Sequence, residues 1–284
     1  MNIRTIVLLL AAMQAFAAEP FFFIQTTDPQ FGMFAEDKNF VQETANWEFV
    51  VANANRLHPA FIVVCGDLTN KAADADQIAE YKRINRKLDR NIHLYNVPGN
   101  HDVKNDPTPE SLAAYRKNYG KDYYSFREGP VYGIVLDSSL MKAPALVQDE
   151  AERQEKWLES ELVQAKTAGA MPVIFQHIPL FLDKPDEPDQ YFNLPLETRA
   201  RVLALLHKYG VHYVFAGHYH RNSYGRDGDL EMITSGPAGM PIGPDPSGFR
   251  IAQVVPDAKD GRIDQQYYSL GTIPHIFPIP PAKP

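Results

Sequence analysis

Six side chains able to bind divalent metal ions follow apolar runs along this 284-residue chain. They are two aspartates, one asparagine and three histidines: Asp28, Asp67, Asn100, His177, His218 and His220. Carboxylate, amide and imidazole groups in this combination are typical ligands of hydrolytic sites that hold two metal ions. Each short motif is common by chance, so the prediction of such a site depends on the whole set.

The placement of these motifs predicts that they meet in space. Each follows a segment with the apolar character of a buried strand, and in α/β sheets the ligand site forms where loops leave the carboxyl ends of the strands. Three motifs also contain glycines, which allow tight turns and close backbone approach around ions: Gly66, Gly99 and Gly217. We therefore expect all the motifs at one edge of the sheet.

Two cations about 3.5 to 4 Å apart need one bridging carboxylate and separate ligands on each side. Asp67 is the natural bridge. We assign Asp28 and His220 to one ion, with Gln30 available beside them, and we assign to the other ion Asn100, His177 and His218. Because His218 and His220 would alternate in an extended segment, they reach different ions only if the backbone turns there.

His101 follows Asn100 directly and is the candidate catalytic residue. Histidine is the residue type most often used to donate a proton to a departing oxygen, which makes its position beside a ligand informative. The alternative is that His101 packs against or caps the turn. Asp102 would either orient His101 or cap the following segment, and the sequence leaves both roles open. The other five histidines lie outside the motifs and are interpreted as structural: His58, His93, His207, His212 and His275.

Apolar, β-rich runs alternate with helix-length segments, which predicts an α/β fold with a largely parallel, helix-flanked core. The predicted strands are 21–26, 61–65, 92–97, 131–136, 172–175 and 211–215. The predicted helices are 41–57, 75–89, 109–118, 150–168 and 197–209. Beyond Gly217, shorter alternating stretches predict antiparallel strands that extend or face the first sheet, at 229–234, 250–255 and 262–268.

Residues 1–17 have the pattern of a cleaved signal peptide: Arg4, an uncharged apolar stretch from Ile6 to Met13, then Ala15-Phe16-Ala17. The apolar stretch is shorter than the about 20 residues that cross a bilayer. An uncleaved anchor or a buried first helix is the alternative. We expect a secreted or periplasmic protein with one domain over 18–273, a proline-rich tail over 274–284, and no membrane span after cleavage.

The composition argues against several other classes of protein. With 44% hydrophobic and 22% charged residues, the chain is an ordinary globular protein. The net charge of −7 becomes −8 when Arg4, the only charged residue of 1–17, is removed. No clustered basic stripe is present, so a nucleic-acid-binding surface is not expected. Cys65 is the only cysteine, which excludes an internal disulfide and is interpreted as a small buried hydrophobic residue.

In their order, the motifs resemble the signature of calcineurin-like metallophosphoesterases: Asp28-x-Gln30, Gly66-Asp67, Gly99-Asn100-His101-Asp102, His177 and Gly217-His218-x-His220. Longer stretches are similar to the group called calcineurin-like phosphoesterase domain-containing protein 1, at 28–32, 176–182, 191–194, 217–222 and 267–270. The resemblance implies a four-layer α-β-β-α sandwich, in which two facing mixed sheets are flanked by helices. It also implies two divalent metal ions, with Mn, Fe, Zn and Mg as candidates.

Gln30 stands where the superfamily pattern has a histidine. An amide oxygen is a weaker and harder ligand than imidazole, so this metal position is expected to be looser or to favour Mn²⁺ or Mg²⁺ over zinc. The resembled group also has Asp-Pro-Gln, and we therefore do not interpret Gln30 as a loss of function. Direct contact between Gln30 and metal stays an open question at this point.

The resemblance implies a phosphoesterase that hydrolyses phosphomonoesters of small molecules or of phosphoserine and phosphothreonine in proteins, by a hydroxide activated by two metal ions. The first alternative is a phosphodiesterase or nucleotide phosphatase, and the second is a metal-stabilised binding protein without turnover. Substrate choice is expected to lie in the 178–195 and 235–248 loops. The first loop has four acidic residues that either disfavour highly anionic substrates or form a solvated surface: Asp183, Asp186, Glu187 and Asp189.

Overall fold

Two mixed β-sheets packed face to face, with helices on both outer sides, form the fold of this protein. The structure is a computed structural model that describes residues 21–255 and 261–275. The predicted signal peptide over 1–17 lies outside the described residues, as does the predicted tail from residue 276 onward. Within the described ranges, no helix is long and apolar enough to cross a membrane.

The described residues contain eleven strands and seven α-helices, which we number in chain order. The strands are β1 Phe21–Thr26, β2 Phe61–Cys65, β3 His93–Val97, β4 Tyr124–Glu128, β5 Val131–Val135, β6 Met171–Phe175, β7 Tyr213–Ala216, β8 Ser223–Asp227, β9 Leu230–Thr234, β10 Gly248–Val255 and β11 Arg262–Ser269. The helices are α1 Val41–Leu57, α2 Ala75–Asn85, α3 Asn100–Val103, α4 Pro109–Tyr119, α5 Ser138–Lys142, α6 Gln148–Thr167 and α7 Leu196–Lys208.

The first sheet has the strand order β11-β10-β1-β2-β3, and the second has the order β4-β5-β6-β7-β9-β8. In the first sheet β1, β2 and β3 are parallel, and β10 and β11 extend it in antiparallel fashion. In the second sheet β5, β6, β7 and β9 are parallel, between the antiparallel edge strands β4 and β8. The carboxyl ends of the parallel strands in each sheet therefore lie at one edge.

Alternate residues of β1 show how the layers arise, because they point to opposite faces of the first sheet. Phe23 points between the sheets, where its ring lies 4.7 Å from that of Phe61, 5.8 Å from Phe175 and 5.5 Å from Phe215. Ile24 belongs to the outer apolar cluster that includes residues of α1 and α2. A matching cluster joins α6 and α7 to the second sheet. The predicted α-β-β-α sandwich is confirmed.

Every predicted strand and helix is present within two residues of its predicted bounds, except that the helix predicted over 75–89 ends at Asn85. The Asn55 side chain donates a hydrogen bond to the Lys87 carbonyl (2.8 Å) and accepts one from the main-chain N–H of Asp89 (2.7 Å). These bonds hold the residues after Asn85 in turns, so the backbone is irregular where the last turn of the helix was predicted.

The sequence pattern does not predict four short elements, namely β4, β8, α3 and α5. Both strands lie at sheet edges, where polar residues are tolerated and the apolar alternation is weak. The expectation of an antiparallel strand over 229–234 is wrong in part, because β9 pairs in parallel with β7 and only its pairing with β8 is antiparallel. After β7 the chain forms the edge strand β8 and then turns back to form β9, which lies between β7 and β8. For this reason β9 runs in the same direction as β7.

Candidate metal centre

The loops that carry the predicted metal ligands meet at the carboxyl ends of the parallel strands. Five of the side chains form two groups, and within each group one ligand atom per residue lies within 4.8 Å of the others. The Asp28 group contains Asp28, Asp67 and His220, and the His177 group contains Asp67, His177 and His218. Asp67 belongs to both groups and is therefore placed between them. The structure brings Asn100 to the His177 group, because Asn100 Oδ1 lies 3.0 Å from His177 Nε2.

Five of the predicted ligands have a left-handed backbone, which non-glycine residues rarely adopt. The φ angles are 49° at Asp28, 39° at Gln30, 50° at Asp67, 69° at His218 and 52° at His220. Such a conformation costs on the order of 1–3 kcal/mol per residue and persists only where the surrounding contacts impose it. The chain therefore turns at both His218 and His220, which lets the two histidines belong to different groups.

Two of the motif glycines are required because other site residues approach their backbone. A Cβ atom on Gly99 would lie 2.1 Å from the main-chain nitrogen of Asp67. A Cβ atom on Gly217 would lie 1.7 Å from Thr27 Oγ1. Any side chain at either position would push the loops that carry the two aspartates apart.

Asp28 is fully buried and has one oxygen without a hydrogen-bond partner. Its Oδ2 accepts hydrogen bonds from Thr27 Oγ1 (2.6 Å) and from the main-chain N–H of His218 (3.1 Å). Its Oδ1 lies 3.3 Å from His220 Nε2 in an ion-pair contact without hydrogen-bond alignment. Because buried polar atoms are nearly always paired, an unpaired carboxylate oxygen beside imidazole nitrogens fits a divalent cation.

Gln30 has a similar unpaired oxygen. Its Nε2 donates a hydrogen bond to Asn70 Oδ1 (3.1 Å), which leaves Oε1 as a buried acceptor with no partner. The main-chain N–H of Gln30 donates to the carbonyl of Asp67 (2.9 Å), so the residue lies next to the shared aspartate. These contacts are compatible with a metal contact through Oε1.

Main-chain carbonyls orient two of the site histidines. His177 donates through Nδ1–H to the Cys65 carbonyl (2.7 Å), and His220 donates through Nδ1–H to the Met240 carbonyl (2.6 Å). In both rings Nε2 is left facing the carboxylates, and His177 Nε2 lies 3.2 Å from Asp67 Oδ2. Hydrogen bonds of this kind fix the ring and the nitrogen that can act as a metal ligand.

The 235–248 loop supports the Asp28 group from outside. In addition to the Met240 carbonyl, it supplies main-chain N–H groups of Ala238 and Gly239, which donate to the carbonyls of Thr27 (2.8 Å) and Asp28 (3.0 Å). These bonds hold the backbone of Asp28 in its left-handed conformation. The 235–248 loop therefore positions ligands, and its role in substrate selection stays a prediction.

Tyr191, in the 178–195 loop, reaches the site although its residue type and position in the sequence predict no role there. Its carbonyl accepts a hydrogen bond from His218 Nε2–H (3.2 Å), and its hydroxyl accepts one from Asn100 Nδ2 (3.2 Å). The rings of Tyr191 and His218 lie 4.9 Å apart. The only sequence signal for Tyr191 is its presence in the similar stretch 191–194, since hydrogen bonding through a carbonyl leaves no trace in residue type.

Two of the four acidic residues in the 178–195 loop have structural partners. Glu187 accepts hydrogen bonds from the main-chain N–H groups of Leu182 (2.8 Å) and Asp183 (2.9 Å), and from Asn193 Nδ2 (2.7 Å). Asp189 accepts one from the main-chain N–H of Leu196 (2.7 Å), at the start of α7. These carboxylates hold the loop in place, as surface-loop residues do.

His101 is half-buried and lies outside both ligand groups. Its main-chain N–H donates to Asp67 Oδ1 (2.8 Å), and its Nδ1–H donates to the Asn70 carbonyl (2.7 Å). Asp102 does not fill the alternative role of orienting His101. Its carboxylate accepts from the main-chain N–H groups of Gly99 (2.9 Å) and Leu68 (3.0 Å), and so joins the loops that follow β2 and β3.

The carboxylates of Asp28 and Asp67 and the histidines beside them set each other's charge. Burial acts to raise the pKa of Asp28 and Asp67, but His220 and His177 beside them hold both pKa values below the usual range. Burial opposes the charge on His177, but Asp67 and Asp28 raise its pKa to about 9. Burial and the neighbouring His177 lower the pKa of His218 to about 3, so this ring is neutral.

When metal is removed by a chelator, the stability of the protein should fall as pH rises from about 7.5 to about 9.5. The pKa of His177 is raised to about 9, above the value of about 6.5 in an unfolded chain. A raised histidine pKa stabilises the folded state fully below about 6.5, and this contribution is lost as pH rises through the folded value. The expected loss is on the order of 2 kcal/mol, which lowers the melting temperature by several degrees.

Thermal unfolding of the chelated protein at these two pH values measures the effect. Metal-loaded protein is the control, because a ligating histidine is neutral at either pH. Burial and the Asp67 charge raise the pKa of Asp102 to about 7, so the contribution of Asp102 is already lost at the lower pH. Equal melting temperatures for the chelated protein at both pH values would contradict a protonated His177.

Comparisons with known proteins identify the family. Residues 23–222 match the family described as calcineurin-like phosphoesterase. The serine/threonine-protein phosphatase CPPED1 of Homo sapiens is 37% identical over 268 residues, which cover 88% of this chain and 84% of the relative. The protein of the same name from Danio rerio is 36% identical over 267 residues, which cover 88% of this chain and 85% of that relative.

Solved structures with the same fold include a dimetal phosphatase from Danio rerio, with a TM-score of 0.60, 18% identity, and coverage of 88% of this chain and 100% of that one. A purple acid phosphatase, PPD1, from yellow lupin seeds has a TM-score of 0.61 and 13% identity, and the match covers 89% of this chain and 52% of that one. These two likenesses establish the fold alone. The family match and the curated relatives show that the chain belongs to the calcineurin-like phosphoesterase family and is a metallophosphoesterase, a hydrolase.

Proposed function

We propose that this enzyme hydrolyses phosphomonoesters with the help of two divalent metal ions, and that phosphoserine and phosphothreonine in proteins are its leading substrates. The observation that carries the proposal is the position of Asp67, whose carboxylate belongs to both ligand groups as two neighbouring cations require. The name of the two relatives, serine/threonine-protein phosphatase, supports a phosphoprotein substrate.

The residues present fit two metal ions. One ion would be held by the Asp28 group, with Gln30 Oε1 available, and the other by the His177 group together with Asn100 Oδ1. When bound, two such ions would polarise the phosphoryl oxygens of a substrate and lower the pKa of a water molecule that attacks it. The oxygen-rich Asp28 group favours Mn²⁺ or Mg²⁺, with Fe and Zn as the other candidates.

His101 supplies a proton to the departing oxygen in this proposal. Because its Nδ1–H is committed to the Asn70 carbonyl, Nε2 is the atom that holds the proton and delivers it. The residue is half-buried, as contact between Nε2 and a substrate requires, and its main-chain N–H stays on Asp67. An alcohol leaving group such as serine requires this protonation, because a free alkoxide is a poor leaving group.

Aromatic side chains beside the ligand groups suit the organic part of a substrate. Tyr191 is 51% exposed, and the rings of Tyr191, Phe192 and Tyr219 follow one another at 5.1 Å for each step. The guanidinium of Arg221 lies 5.1 Å from the Tyr219 ring. Exposed aromatic rings bind apolar groups and side-chain stems, which supports a substrate larger than an alkyl phosphate.

A panel of metal-reconstituted activity assays tests the proposal. We expect phosphopeptides and simple phosphomonoesters to be hydrolysed, and phosphodiesters to be hydrolysed far more slowly. The Asp67→Asn variant, purified in parallel, measures contaminating phosphatase activity. Faster turnover of diesters would replace the proposal with a phosphodiesterase, and faster turnover of nucleotides would replace it with a nucleotide phosphatase. Metal binding without turnover of any ester would replace it with a metal-stabilised binding protein.

We also propose that the protein is exported. The order of Arg4, the apolar stretch 6–13 and Ala15-Phe16-Ala17 supports cleavage of a signal peptide. Protein isolated from its native host should therefore begin near Ala18 or Glu19, and intact-mass measurement would show this. A mass that includes Met1 and the residues after it would contradict cleavage.

A further inference from the structure

Tyr191 is hydrogen-bonded to two residues on the same side of the site, Asn100 and His218. One bond uses the tyrosine hydroxyl and the other uses its main-chain carbonyl. Both partners lie with His177, and neither belongs to the Asp28 group. A single residue of a surface loop therefore contacts two predicted ligands of one metal ion.

The amide of Asn100 has two chemically different ends, and its neighbours determine which end faces the site. Its Nδ2 donates to Tyr191 Oη (3.2 Å) and to Asn105 Oδ1 (3.0 Å), which leaves Oδ1 directed to His177 Nε2 (3.0 Å). If the amide were rotated, its oxygen would face the oxygen of Asn105. The two acceptors therefore hold the amide oxygen toward the metal position.

The ring of His218 is oriented in the same way. Its Nε2–H donates to the Tyr191 carbonyl (3.2 Å), so Nδ1 is the nitrogen with a free lone pair. The ring of Tyr191 at 4.9 Å and that of Phe192 at 5.5 Å pack against the imidazole. The tautomer and the plane of the ligand are thus both set from the loop.

The loop holds Tyr191 firmly although its side chain is 51% exposed. On either side of it, the main-chain N–H of Gln190 donates to Asn193 Oδ1 (2.9 Å), and Lys142 Nζ donates to the carbonyls of Gln190 (2.9 Å) and Asn193 (2.5 Å). These contacts hold the backbone on both sides of the Tyr191 carbonyl without involving the ligands, and the Tyr191 hydroxyl also donates to Asn105 Oδ1 (3.5 Å).

We propose that Tyr191 is a positioning residue that orients Asn100 and His218 for one of the two metal ions. This inference rests on the proposed dinuclear function. Loss of the tyrosine hydroxyl should lower the affinity of the His177 group for its ion and leave the affinity of the Asp28 group unchanged. Residues that hydrogen-bond to a metal ligand without contacting the metal typically raise metal affinity by about 10–100-fold.

Calorimetric titration with Mn²⁺ tests the proposal in two backgrounds. In His220→Ala, where the Asp28 group is disabled, adding Tyr191→Phe should lower the Mn²⁺ affinity about tenfold, since Asn105 still accepts from Asn100. Adding Asn105→Ala as well should lower it about 100-fold. In His177→Ala, where the other group is disabled, Tyr191→Phe should not change the affinity.

Tyr224→Phe is the matched control, because Tyr224 is 46% exposed and its hydroxyl accepts from Arg226 Nε instead of a site residue. The turnover of Tyr191→Phe should return to the wild-type value at saturating Mn²⁺, and failure to return would mean that the hydroxyl contacts substrate and would overturn the proposal. Unchanged affinity of Tyr191→Phe in the His220→Ala background would also overturn it. Wild-type protein that binds none of the four candidate metals, Mn, Mg, Fe and Zn, would instead defeat the dinuclear function itself.

Discussion

Replacing Asp67 with asparagine should weaken the binding of both metal ions and abolish most of the phosphoesterase activity. The carboxylate is shared by the Asp28 group and the His177 group, so the substitution removes a negative charge from both at once. The affinity for each of the two ions should fall by more than about 10–100-fold. That range is the typical cost of losing a residue that hydrogen-bonds to a metal ligand without contacting the metal. Metal analysis and calorimetric titration of the purified variant measure this directly.

His220→Ala is the matched comparison for Asp67→Asn, because His220 belongs to one group only. It should lose one ion and keep the other. Asparagine has the shape of aspartate and keeps an oxygen that can accept the main-chain N–H of His101, so the loop after β3 should stay in place. Two ions bound to Asp67→Asn with wild-type affinity would rule out the shared position, and circular dichroism would show that the variant is folded.

The convergence of the site could be predicted because the carboxyl ends of neighbouring parallel strands lie at the same edge of a sheet. Asp28 and Asp67 each lie two residues beyond β1 and β2, which are parallel neighbours in the first sheet, and His177 and His218 lie two residues beyond β6 and β7, which are parallel neighbours in the second sheet. The expectation that all motifs meet at the edge of one sheet is therefore wrong in part, because the site is formed by loops from both facing sheets. Apolar runs buried on both faces are strong signals, so the strands could be placed well. The polar edge strands β4 and β8 give only weak signals, so they could not be placed.

The sequence could not predict the backbone of the site. Motif glycines indicated tight turns, but the left-handed conformations fall on ligands such as Asp28, Asp67 and His220. These conformations depend on contacts with residues distant in sequence, for example the bond from the Gly239 N–H to the Asp28 carbonyl. Propensity is local and cannot anticipate strain that tertiary contacts impose.

The supporting residues were also beyond the reach of sequence patterns. The 178–195 loop drew attention for its acidic side chains, yet Glu187 bonds to the loop's own backbone and Tyr191 reaches the ligands. The Met240 carbonyl supports His220 from the 235–248 loop in the same manner. Each half of the centre is therefore stabilised by its own surface loop. Variation in either loop can alter metal affinity without changing a ligand.

Replacing His101 with alanine should leave both metal ions bound and still reduce turnover by about 10²–10⁴-fold, the usual contribution of general acid catalysis. The contact with Asp67 uses the main-chain N–H of His101, and alanine retains it. Only the ring and its bond to the Asn70 carbonyl are lost. The comparison of kcat with metal content, measured on the same preparation, separates catalysis from assembly of the site.

The dependence on leaving group identifies what the His101 ring does. If Nε2 protonates the departing oxygen, the loss in kcat should be large for an alkyl phosphate and small for nitrophenyl phosphate, whose leaving group needs little protonation. His93→Ala, which removes a surface histidine in contact with Glu128, is the control for loss of an imidazole elsewhere. An equal loss on both esters would leave stabilisation of transition-state charge as the only role of His101. No loss on either would make the residue structural and would strengthen the alternative of a metal-stabilised binding protein.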